Sequence, residues 1–143
     1  MKLQRAFFMV SVLFLFASSA VAGDFDWMSD LNIRAGADLS GFKVRLATRF
    51  KIGDTQINAV LGNVENPADA YMVLRLGEMS TKPPEDVIEQ YKSRGSKGWG
   101  ALAKSLGIKP GSSEFHALKR GNDLYDDNNK GKGKGKGRGR GKN

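Results

Sequence analysis

From Asp38 to Gly121 the chain repeats one local pattern: a capping residue, an apolar stripe at helical spacing, then a glycine or proline stop. Helices this short do not persist alone in water, so the stripes must bury one another. Behind Asp54, the residues Ile57, Val60, Leu61 and Val64 stand at i, i+3, i+4 and i+7, with Gly62-Asn63 near the end. Asn66-Pro67-Ala68-Asp69 reads as a helix start. Asn accepts exposed N–H groups, Pro fits the first helical position, and Asp69 meets the positive end of the dipole. The helix that follows carries Tyr71, Met72, Val73, Leu74, Leu76 and Met79 and is apolar around most of its circumference, which places it at the centre of the core.

Pro83-Pro84-Glu85-Asp86 opens a further helix, with Val87, Ile88 and Tyr91 inward and Gly95 after its end. Trp99, Leu102, Ala103 and Leu106 form the next stripe, and Gly107 followed by Ile108 suits a Schellman-type stop. Ser112 or Ser113 caps a last helix bearing Phe115 and Leu118, with Glu114 in its first turn and Lys119-Arg120 in its last. The expected fold is an all-α bundle of about five short helices over 38–121, with 23–37 as a lead-in. Residues 31–50 read two ways. Leu39, Phe42, Leu46 and Phe50 fit a helix capped by Asp38. Leu31-Ile33-Ala35 and Phe42-Val44-Leu46 alternate as in a β-hairpin turning at Asp38-Leu39-Ser40-Gly41.

The first 22 residues stand apart. Lys2 and Arg5 precede an apolar run from Ala6 to Phe16, and Ala20-Val21-Ala22 offers a cleavage site before Gly23. This is the pattern of a cleaved signal peptide, and it implies a periplasmic or secreted protein with no transmembrane span after cleavage. Without a cysteine there is neither a disulfide nor a lipid-modification site, so the domain must be held by packing or by a partner.

The chain ends in Lys130-Gly-Lys-Gly-Lys-Gly-Lys-Gly-Arg-Gly-Arg-Gly-Lys-Asn143. The formal net charge is +8; without Lys2 and Arg5 it is +6, and the tail alone carries seven positive charges. Residues 23–129 therefore hold 14 basic and 15 acidic groups, a net of −1. Lys130, Lys132, Lys134, Lys136, Arg138, Arg140 and Lys142 are the candidate polyanion-binding residues. Alternating glycine denies them a helix, and the absence of apolar groups denies them an amphipathic membrane mode. What remains is a flexible polycation suited to an anionic membrane surface, lipopolysaccharide or nucleic acid, without sequence preference. The bland counterpart is an inert solubilising end on a structural protein.

The other candidates reduce to structural roles. His116 is the single histidine, and with Ser112, Ser113 and Glu114 it sits among capping residues rather than in a nucleophile–base–acid set. One histidine and no cysteine leave no ordinary zinc site, and no cofactor motif is present. Gly95-Ser96-Lys97-Gly98-Trp99-Gly100 matches no phosphate-loop pattern and reads as a turn that carries Trp99 into the core. Ala101 to Gly121 superficially follows a helix-turn-helix, but the turn is long and Glu114 would repel phosphate. Asn122, Asp123, Asp126, Asp127, Asn128 and Asn129 fail calcium-loop spacing and read as a solvated acidic hinge before the tail, at 122–143. Glu85, Asp86 and Glu89 are the acids a carboxylate-dependent enzyme would draw on, but helix-dipole stabilisation accounts for acids in a first turn.

The segment from Lys97-Gly98-Trp99-Gly100 through Leu106-Gly107-Ile108-Lys109-Pro110-Gly111-Ser112 to Glu114-Phe115-His116-Ala117-Leu118-Lys119 resembles a stretch of small exported bacterial proteins. The likeness runs over about 66–121 and implies a helical domain of the cell envelope. It transfers no catalytic residue and does not extend to the tail. The expectation is a non-enzymatic, exported helical module that binds a protein partner, with a tail that attaches to polyanions.

Overall fold

Pro67–Ser80, the helix we label α4, is the axis of the molecule, with nine of its fourteen residues buried. In the computed structural model, which describes residues 24–94 and 97–125, it is one of seven helices. The others are α1 (Trp27–Ala37), α2 (Leu39–Phe50), α3 (Asp54–Leu61), α5 (Pro84–Ser93), α6 (Trp99–Ser105) and α7 (Ser113–Arg120). No strand occurs among the described residues, so the fold is all-α with two helices more than expected. The signal-like segment 1–22 and the tail cations Lys130 to Lys142 lie outside the described residues, as do Gly95 and Ser96.

The α4 axis packs against α1, α3 and α5, while α2 bridges α1 and α3. Tyr71, Met72, Val73 and Leu76 of α4 meet Leu31 and Ala35 of α1, Phe42 and Leu46 of α2, and Ile57 and Val60 of α3 in one continuous core. Leu102, Ala103, Leu106, Ile108 and Leu118 close its far side. Each fully buried large aliphatic side chain contributes about 1.5–3 kcal/mol relative to exposure, which is how the bundle is held without a disulfide.

The starts and stops follow local chemistry. Asp38 accepts the Gly41 N–H at 2.8 Å and starts α2, settling 31–50 as two helices. Val44, which a strand would place on one face with Phe42 and Leu46, is 64% exposed, while those two are fully buried. Asn66 and Asp69 form a capping box on α4, and Asn32 of α1 adds a partner by accepting the Ala68 N–H at 2.7 Å. After α6, Gly107 takes φ +88°, its N–H reaches Lys104 O at 3.0 Å, and Ile108 N reaches Ala103 O at 3.0 Å. That pair of bonds is the Schellman motif, with Ile108 turned into the core. Ser112 rather than Ser113 caps α7, accepting the Phe115 N–H at 3.2 Å. Gly53 rather than Asp54 is the N-cap of α3, and that helix ends at Leu61, leaving Val64 half-buried beyond it.

Two boundaries differ from the sequence reading. Within the lead-in 23–37, Trp27–Ala37 is a helix packed on α4 and part of the bundle. Its Trp27 ring meets Tyr71 edge-on at 5.5 Å, and Trp27 Nε1 donates to Leu118 O at 3.1 Å. At the other end, Asn122 does not open a solvated hinge. Asp123, Leu124 and Tyr125 fold back over the bundle, and Leu124 is buried.

Candidate functional site

Three helices direct arginines at the returning C-terminal segment. On α2, Arg45 and Arg49 are four residues apart and share a face; α1 supplies Arg34 and α4 supplies Arg75, beside Tyr71 and Glu78. Arg49 is the hub. Its Nη1 and Nη2 donate to Glu78 Oε1 and Oε2 at 2.9 and 3.0 Å, and its Nε donates to Asp123 Oδ2 at 2.7 Å. Arg75 Nη1 donates to Glu78 Oε2 at 2.5 Å and stands 3.9 Å from Asp123 Oδ2. The buried Tyr71 hydroxyl donates to Asp123 Oδ1 at 2.9 Å and accepts the Asp123 N–H at 3.3 Å. One residue on, Arg45 Nη1 donates to Leu124 O at 3.1 Å. The Tyr125 ring then lies under Arg45 at 4.6 Å and Arg34 at 5.4 Å.

The charges shift one another in consistent directions. Burial pushes the Asp123 carboxyl up, but the hydrogen bonds from Arg49 and Tyr71 outweigh it and leave it below the ordinary aspartate value. The fork of Arg49, then Arg75, holds Glu78 low against a smaller opposing effect of burial. Glu78 in turn raises Arg49, and burial followed by the Asp123 charge raises the Tyr71 hydroxyl. Asp123 and Glu78 remain about a third to a half exposed, so each ion pair is worth about 0.5–1 kcal/mol at most. The arrangement is a clamp: it holds Asp123, Leu124 and Tyr125 against the bundle.

Locally, the acidic run 122–129 looked solvated because Asp123 finds its partners 52 and 74 residues away. The available signal was Arg45 and Arg49 on one helical face with no acid at i±4 to match them. Asp126, Asp127, Asn128 and Asn129 lie outside the described residues, as do the seven tail cations.

The catalytic candidates are not brought together. His116 is exposed on α7, Ser112 caps that helix, and Ser113 donates to Glu114 at 3.1 Å. The Glu114 backbone N–H, then Ser113, holds the Glu114 carboxylate low. Glu85, Asp86 and Glu89 are exposed along α5. Among the described residues no three His, Cys, Asp or Glu side chains are grouped to hold a metal ion, and no helix is long and apolar enough to cross a membrane. Trp99 stacks on Tyr91 with centroids 5.4 Å apart, the packing expected of the turn before α6. No protein-family model, curated protein or solved structure matches the chain.

Proposed function

We infer that the protein is an exported, non-enzymatic module of the bacterial cell envelope. Its helical domain docks a partner, and its C-terminal tail attaches to anionic lipid, lipopolysaccharide or nucleic acid. The observation that carries this reading is the clamp on Asp123–Tyr125. It holds Asp123–Tyr125 on the bundle five positions before Lys130, and in sequence a domain of near-zero net charge is followed by a segment with seven positive charges, which supports a distinct role for that segment. The signal-like first 22 residues and the likeness of 97–119 to small exported bacterial proteins support the location.

A polycation bound by counterion release has a characteristic salt dependence. With all seven charges engaged on DNA, log K falls against log salt with a slope of about −5 to −6. The test compares the mature chain with one ending at Asn129, on DNA and on anionic vesicles, across a salt series. The shorter chain should lose most of the binding and nearly all of the salt slope. Equal binding by the two chains removes the tail from the function.

A further inference from the structure

Away from the clamp, α5 and α6 enclose a groove of about 550 Å³ lined by Gln90, Arg94, Lys97, Ala101, Lys104 and Ser105, among others. Its volume lies within the range of small-molecule sites, roughly 300–1,000 Å³. Arg94, Lys97 and Lys104 are its three cationic lining residues, and no carboxylate lines it. Of the other arginines, Arg34 pairs with Asp30, and Arg49 and Arg75 pair with Glu78 and Asp123, while Arg45 and Arg120 donate to the backbone oxygens of Leu124 and His116. Arg94, Lys97 and Lys104 take part in none of the ion pairs among the described residues. On a domain whose net charge is −1, that grouping creates a local positive potential that an anion would relieve.

The groove is also pre-shaped. The Arg94 guanidinium lies 3.6 Å from the Tyr91 ring centroid and 5.5 Å from that of Trp99, and its Nη1 donates to Tyr91 O at 2.7 Å. A guanidinium stacked and tethered in this way loses little freedom on meeting a ligand, and its planar fork matches phosphate oxygens. Ser105 Oγ lies 2.7 Å from Leu102 O and 3.1 Å from Gln90 Oε1 across the groove. Ala101 and the buried Leu102 supply an apolar wall beside these donors.

We propose that the α5–α6 groove binds a phosphate ester. Arg94, Lys97 and Lys104 hold the phosphate, and Ala101 and Leu102 contact the adjoining carbon skeleton. The site is separate from the tail. Its ligand is either a soluble phosphomonoester or the headgroup of a phospholipid, and both present the same phosphate to the same three cations.

The test uses the mature chain with its seven tail cations changed to glutamine, so that tail binding cannot mask the groove. Backbone amide shifts are followed by NMR during titration with glycerol 3-phosphate, at constant ionic strength set with chloride. A parallel arm measures sedimentation with phosphatidylcholine vesicles, with and without phosphatidic acid. The expected result is saturable shifts concentrated at residues 90–94 and 97–105, weakened at least tenfold by Lys97→Gln with Lys104→Gln. Both lysines are exposed, so the melting temperature should hold; if it falls, Lys104→Gln alone is read. Saturation by glycerol 3-phosphate supports a soluble ligand. Binding only to phosphatidic acid vesicles, lost in the lysine variant, supports a lipid headgroup. Shifts spread over all surface cations, binding indifferent to the two lysines, or no response in either arm overturns the proposal. None of these outcomes bears on the tail, whose charges are absent from every chain in this test.

Discussion

Asp69 is the buried acid among the described residues, and its surroundings account for it without chemistry. Its Oδ2 accepts the Asn66 N–H at 3.2 Å, completing the start of α4, and the Tyr91 hydroxyl at 2.9 Å, joining α4 to α5. Tyr91 carries a second duty, because its hydroxyl accepts the Glu65 N–H at 3.3 Å. Burial, the largest influence, raises the Tyr91 hydroxyl above its ordinary range. Asp69→Ala removes a cap and strands two donors, and should cost about 2–3 kcal/mol in urea unfolding. Tyr91→Phe keeps the ring and should cost about 1 kcal/mol. Because the two share one hydrogen bond, the double variant should fall short of the sum by more than about 0.5 kcal/mol. Strict additivity would mean that the Asp69–Tyr91 bond contributes nothing.

At the scale of the helices, the elements whose signals are local were legible in sequence. Asn66-Pro67 with Asp69, Gly107-Ile108 and Ser112 each do in the structure what their chemistry predicts, because a cap is satisfied within three or four residues. The first helix was not legible. Its buried apolar positions are only Leu31 and Ala35, and the exposed Ile33 between them imitates a strand. What makes it helical is its packing against α4, which no local window contains. The C-terminal segment failed for the same reason, since an aspartate in a polar run looks solvated until Arg49 and Tyr71 are known to face it. That contact has a pH signature. Glu78 and Asp123 have folded pKa values below their ordinary 4.5 and 3.8, so their contribution is complete above those values and is lost as pH falls below them. Tyr71 is raised, so its contribution is present below 10 and is lost as pH climbs above it. Asp123→Asn should cost about 1 kcal/mol at pH 7, after allowance for exposure, and nearly nothing at pH 2.5. Urea unfolding at the two pH values checks this; an equal cost at both would assign the effect to packing rather than charge.

At the scale of the whole molecule, the sequence changes from near-neutral to basic at Lys130. Among the described residues the last packed on the core are Leu124 and Tyr125. If the clamp is the structural end of the domain, two shortened chains must behave differently. A chain ending at Asn129 keeps every described contact and should melt within about 1 °C of the mature protein, whatever it loses in polyanion binding. A chain ending at Gly121 loses the burial of Leu124, worth about 2 kcal/mol, and the bonds of Asp123, worth about 1 kcal/mol more. For a domain of roughly 100 residues each kcal/mol shifts the melting temperature by about 4–8 °C, so this chain should melt more than about 10 °C lower. Calorimetry on the three chains decides the matter. Equal melting of the two shortened chains would show that 122–125 rests on the bundle without holding it.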